Sequence, residues 1–220
     1  MSYGTIIRNG NNQIVIDQDY MNLSIVQSGV INTGRDINNP DKEGNQQRVV
    51  YGSSPIICIA PDNNSCIAAV QKIQNDGAFT YNFFGYGSCR YAIFDIGYGS
   101  SEKYGLRVFN GAGGVVFDSG RKYMRVVDFI SIDRLDQGYA VPNGTYGFIN
   151  CGPSMEILAD YDDNTGLAAL VTSDYVPERR GDNTWRTGNM QTGWSDYKYP
   201  DFGRIDVRNP LLVVNLTGYV

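Results

Sequence analysis

Tyr104-Gly105-Leu106-Arg107-Val108-Phe109-Asn110-Gly111, continuing to Val115-Val116-Phe117-Asp118, decides the fold of this chain. Apolar and polar residues alternate from Gly105 to Asn110, the period-two pattern of a half-buried strand. Asn110-Gly111 favours the positive φ of a tight hairpin. Val115-Val116-Phe117 supplies the return strand, and Asp118 can cap its exit through a side-chain hydrogen bond to the backbone. A third strand is expected at 123–130, Tyr123-Met124-Arg125-Val126-Val127-Asp128-Phe129-Ile130. Gly111-Ala112-Gly113-Gly114 lacks the Lys-Ser/Thr of a phosphate-cradling loop, and hairpin chemistry accounts for it.

The same order stands 101 residues earlier. Tyr3-Gly4-Thr5-Ile6-Ile7-Arg8-Asn9-Gly10 runs to Ile14-Val15-Ile16-Asp17, with Tyr, Gly, Asn, Gly, Val and Asp identical at equivalent places. After a two-residue insertion, Tyr20-Met21 aligns with Tyr123-Met124. Cys58 followed by Pro61 echoes Cys151 followed by Pro153. Such self-similarity reads as an internal duplication.

Working outward, further strands are expected at 48–51, 56–60, 67–73, 78–84, 91–96, 144–150, 155–161, 167–172, 205–208 and 211–216. Short strands at this spacing indicate sandwiches or barrels, and no long amphipathic helix interrupts them. The 26 Gly and 16 Tyr fit strands joined by tight turns. The fold expected is all-β, as two tandem related β-sandwich-like lobes at 1–99 and 100–220, or one larger sandwich built from both halves. In the joined form, strand 91–96 could pair with 104–110. Two polar or irregular stretches read as surface excursions: 33–47, and the long aromatic loop 173–203 of the second lobe.

The 220 residues carry 18 Lys+Arg against 23 Asp+Glu, a net charge of −5 with pI near 4.7, which argues against a nucleic-acid partner. There is no histidine, so every Ser-His, Cys-His or His-metal arrangement within this chain is excluded. Cys58, Cys66, Cys89 and Cys151 lack a C-x-x-C pair, leaving buried reduced thiols or a disulfide open. The first residues show neither a basic n-region nor an apolar h-region, so no secretory signal is expected. The longest apolar runs, about six residues, fall short of the roughly 20 that span a bilayer. The expectation is a soluble protein made in a cytoplasm, without membrane insertion.

Chemistry-bearing candidates are few. Asp160, Asp162 and Asn164 place oxygen ligands at alternate positions, as a calcium loop would. The sixth and twelfth positions are Thr165 and Val171 rather than Gly and Glu, and a hairpin turn explains the segment. Paired carboxylates could cleave glycosidic bonds without histidine, but 23 acids generate such pairs by chance. Trp185, Trp194, Tyr197 and Tyr199, with Arg186 among them, form an aromatic-polar cluster. It suits a protein interface or a glycan, and equally a loop folded over its own lobe. The glycosylation patterns at Asn22, Asn63, Asn143 and Asn215 carry no meaning without secretion.

The runs Tyr104 to Asn110, Val115-Val116-Phe117-Asp118-Ser119-Gly120 and Arg125 to Phe129 resemble a family of small virion proteins of tailed bacteriophages, encoded among tail genes. So does the opening Met1-Ser2-Tyr3-Gly4 to Asn9, followed by Tyr20-Met21-Asn22-Leu23 and Ser28-Gly29. The likeness covers about 1–30 and 91–131 and carries no catalytic residue. It implies a structural role at the distal tail, as a tail-tip, baseplate or fibre component of the virion, with other tail proteins as partners in a multi-copy symmetric assembly. The alternative is an adhesin or decoration module that binds a host-surface glycan. No enzyme activity and no cofactor are expected.

Overall fold

The computed structural model describes residues 6–8, 10–12, 14–17, 22–34, 46–73, 77–96, 102–152, 155–162, 167–180, 184–197 and 204–220, with the backbone alone for 14–17, 34, 70–73, 136, 155–162, 167–176, 180, 188–197, 204, 205 and 207. The first half holds β1 (Ile6–Arg8), β2 (Ile14–Asp17), β3 (Leu23–Gly34), β4 (Gln46–Tyr51), β5 (Ile56–Pro61), β6 (Ser65–Ile73) and β7 (Ala78–Ile96). The second half begins with β8 (Arg107–Phe109), β9 (Val115–Asp118), β10 (Val126–Ile130), the short helix α1 (Ile132–Asp136), β11 (Tyr139–Ala140) and β12 (Tyr146–Asn150). It ends with β13 (Met155–Asp162), β14 (Leu167–Arg180), β15 (Thr184–Tyr197), β16 (Arg204–Val207) and β17 (Leu211–Asn215). The chain is all-β, as its alternation and turn residues predict.

Six of these strands close on themselves. The hydrogen-bonded order β3, β7, β5, β12, β17, β10 returns to β3, because residues 122–124, just before β10, pair antiparallel with the start of β3. Ile25 N–H donates to Lys122 O and Met124 N–H to Leu23 O, both at 2.9 Å. β3, β5, β7, β12 and β17 turn side chains inward: Leu23, Ile25, Cys58, Ala60, Ala92, Phe94, Ile149, Leu212 and Val214 share one cluster with Met124, which precedes β10. The few small residues, Cys58, Ala60 and Ala92, make room for the large ones in a narrow interior. Tyr219 and Val220 of the C-terminus pack against the same cluster.

The ring is two-fold symmetric in its pairing. In the first half Ile25 faces Phe94, a bulge follows, and Gln27, Ser28 and Gly29 face Ile93, Ala92 and Tyr91. In the second half Val126 faces Val214, a bulge follows, and Asp128, Phe129 and Ile130 face Val213, Leu212 and Leu211. On the other side, Ile56 to Ile59 pair with β7 as Gly147 to Asn150 pair with β17. Strand for strand, β3, β7 and β5 repeat as β10, β17 and β12. The leading hairpins repeat as well: Ile7 faces Ile16 and Val108 faces Phe117, each with a bulge at the next residue. Ile7 packs on Val108, Val116 and Phe117, so the two hairpins lie against each other.

Two alignments change. The ungapped offset of 101 continues past the hairpins, placing Leu23 against Met124, so the two-residue insertion proposed after Asp17 has no counterpart in the pairing. Cys58 corresponds to Ile149, not to Cys151. The halves also meet in one hydrogen-bonded ring, and residues 91–96 pair with β3 and β5, not with 104–110.

Strands 78–84 and 91–96 are in fact one 19-residue strand, β7. Its first part pairs with β4 and β6, its second with β3 and β5. Gly85 and Gly87 lie at the corner where both neighbours change. Gly85 has φ +118, and a Cβ there would lie 2.1 Å from the Cys66 carbonyl oxygen. Only glycine permits that backbone at that approach.

Each half grows an arm from equivalent points of the ring. After β5, β6 and the first part of β7 extend outward and cover the outer face of β5 and β7, where Ile67, Tyr81, Phe83, Tyr91 and Ile93 are buried. After β12, the strands β13 to β16 extend outward. Their base, with α1 and β11, covers the outer face of β12 and β17 through Ile130, Ile132, Leu135, Tyr139, Phe148, Trp185 and Val213. The arms touch where Ser65 and Cys66 pair with Arg179 and Glu178. The expected loop 173–203 is therefore largely the long hairpin of β14 and β15.

Candidate interaction surface

Trp185 belongs to the core. It stands opposite Tyr139 on β11 and Arg179 on β14, is 2% exposed, and meets Phe148 edge-on with ring centroids 4.7 Å apart. The Arg179 guanidinium lies 5.8 Å from its ring centre. Its indole Nε1 is buried without a hydrogen-bond partner. The reading of Trp185 as a partner or glycan contact is thereby corrected: strand alternation sends it inward onto β12, while its neighbour Arg186 is exposed. Trp194 and Tyr197 fall on β15 opposite Val171 and Ala168, and their side chains lie outside the described ones. Tyr199 lies outside the described residues, as does Asn164. Asp160 and Asp162 are on β13, facing Ala169 and Leu167, with side chains likewise outside.

The described polar clusters are spent on the fold. Asp95, 1% exposed, accepts the N–H groups of Ser53, Ser54 and Ile96 and pins the turn after β4. Buried Asp118 accepts from Arg107 Nε at 2.7 Å and from the Gly120 N–H, while its own N–H donates to the Tyr123 hydroxyl. Tyr139 donates to Asp128 at 2.8 Å, Arg134 reaches the same carboxylate at 3.2 Å, and the Arg134 guanidinium lies over the Tyr139 ring. The Tyr139 and Phe129 hydrogen bonds hold the Asp128 carboxyl below its ordinary range. Burial first, then Asp128, pushes the Tyr139 phenol up to about 12.

The cysteines are free thiols, Cys58, Cys66 and Cys89 buried and Cys151 exposed. Burial pushes Cys58 up, and burial with the Asp62 charge pushes Cys89 up to about 12, so both are held as neutral thiols, poor nucleophiles. Among the described residues no group of three Cys, Asp or Glu gathers as metal ligands, and no helix is long and apolar enough to cross a membrane.

What stands open is apolar. Tyr104 is 92% exposed and Phe129 61%, and Leu106, Phe109, Val126 and Val127 are exposed with them, all on the second hairpin and β10. Among the described strands β10 pairs with β17, and the chain just before it closes the ring onto β3. The bulge residues Val26 and Val127 hold equivalent places in the two halves, and both face solvent. Sequence reading missed this surface, yet it carries a signal: Val126, Val127 and Phe129 fall on both parities of one strand, more apolar positions than a single inward face can bury.

Fold and surface together define a class: a closed, two-fold-repeated β-ring with outgrown arms and exposed apolar strand surface. Compared with protein-family models, curated proteins and solved structures, the chain finds no match.

Proposed function

We propose that the chain is a non-enzymatic structural protein of a tailed-phage virion, acting through protein–protein contacts at the distal tail, at the tail tip, baseplate or fibre attachment. The observation that carries the reading is the exposed apolar set on the second hairpin and β10. Contiguous exposed apolar side chains mark protein–protein contact surfaces, and soluble monomers usually keep such patches small.

Gold-labelled antibody against the chain, applied to intact particles, tests the proposal. Labelling at the tail tip is expected; labelling of the head alone, or of no particle, overturns it. Particles that incorporate a surface variant normally but no longer adsorb to host cells would favour the adhesin reading.

A further inference from the structure

We propose that the seam between the two halves is a binding site for a small, neutral, apolar molecule about the size of one substituted benzene ring. A cleft of about 210 Å³ opens there. Its lining includes Ile57 and Ile59 of β5 and Phe148 and Asn150 of β12, which are equivalent pairs under the two-fold repeat. The position follows from the architecture. Each arm covers the outer face of its own half, and the cleft lies where one cover ends and the other begins.

The lining sets the ligand's chemistry. It holds no charged residue. Its one phenol, Tyr81, already donates to the Pro55 carbonyl at 2.6 Å, and Pro55, Pro61 and Pro177 contribute no N–H. An ion entering would lose hydration and find no opposite charge to offset it. A neutral ring instead meets the faces and edges of Phe148 and Tyr81. An apolar cavity of roughly 150 Å³ accepts benzene, so this cleft takes a ring with one or two small substituents. Asn150, exposed, is the one side-chain amide on the lining and can meet a hydroxyl on the ring. The site stands independently of the assembly role.

The test titrates p-cresol into the isotope-labelled full chain and follows amide NMR shifts, with benzoate as the charged control. Saturable shifts at Ile57, Ile59, Ala69 and Phe148 are expected, with none for benzoate. Ala69 lines the cleft, so Ala69→Leu should fill it and weaken p-cresol at least tenfold. A second variant, Ile59→Ala, should admit 2-naphthol, which the natural chain excludes. The proposal is overturned by absent or non-saturable p-cresol shifts, by equal binding of benzoate, by a folded Ala69→Leu protein with unchanged affinity, or by an Ile59→Ala protein that does not gain 2-naphthol binding.

Discussion

Met124 donates its backbone N–H to the carbonyl of Leu23 at 2.9 Å, and these two residues hold the same place in the two halves. The two-fold axis of the ring therefore passes between them. On the opposite wall Phe148 pairs with Ile59, and the next step of that ladder sets Cys58 beside Ile149, again an equivalent pair. An antiparallel pair is the one strand arrangement that a perpendicular two-fold axis maps onto itself. Duplication of a three-strand unit thus closes the ring without any new kind of contact.

Backbone approach makes Gly147 and Gly85 the least replaceable glycines. A Cβ at Gly147 would lie 2.6 Å from Cys58 Sγ and 2.9 Å from the Ile59 carbonyl, on the seam itself. Gly147→Ala should cost about 2–3 kcal/mol through displaced neighbours alone, and Gly85→Ala at least as much, because backbone strain at its positive φ adds to them. Gly77 has φ +81 but nothing within 4 Å, so Gly77→Ala should cost only about 1 kcal/mol. Urea midpoints compare the three directly; equal losses would show that crowding is irrelevant at the corner and the seam.

Trp185→Ala should destabilise the isolated chain by about 3–5 kcal/mol, because it empties the cluster beneath the second arm. Trp185→Phe should cost less than Trp185→Ala, since a benzene ring still fills part of the site and the lost N–H has no hydrogen-bond partner. Chemical denaturation of both variants checks the order. A large loss in Trp185→Phe would mean that the indole N–H is satisfied in solution.

Tyr139 makes stability pH-dependent at the alkaline end. Its phenol rises from 10.0 to about 12 in the fold, so the folded state holds the proton more tightly than the unfolded chain. The contribution is complete below pH 10 and is lost as pH rises from 10 towards 12. Tyr139→Phe should flatten that part of the stability–pH curve, measured by urea unfolding at successive pH values. An unchanged slope would remove Tyr139 as its source.

Charge on the exposed apolar side chains of β10 should block assembly without unfolding the chain. Val127 and Phe129 are exposed, so Val127→Asp with Phe129→Asp should shift the melting temperature little. Incorporation into particles, scored by immunoblot of purified virions, should fall at least tenfold. Normal incorporation would exclude this surface as the contact.

The all-β class, the hairpin at Asn110 and the repeated order were legible because each rests on short-range chemistry. Asn110 Oδ1 accepts the N–H groups of Ala112 and Gly114, a turn that neighbouring residues make by themselves. Alternation marks β8, and an unbroken apolar run marks β17, without reference to any partner. The split of β7 into 78–84 and 91–96 fails for the same reason: continuity through Gly85 and Gly87 is set by β4, β6, β3 and β5 on either side, not by neighbouring residues.

Trp185 and the closed ring lay beyond local reading. The pattern of β15 places Trp185 and Arg186 on opposite faces, but not which face meets β12 and which meets water. That choice belongs to the arm's anchoring through Tyr139 and Ser65, residues distant in sequence. The sequence by itself determined the strands, the turns and the repeat, since propensity and period act within a few residues. Closure of the ring, the burial of Trp185 and the exposure of Phe129 were decided only in the tertiary structure, because hydrogen-bond partners and burial are set by whichever distant strand arrives alongside.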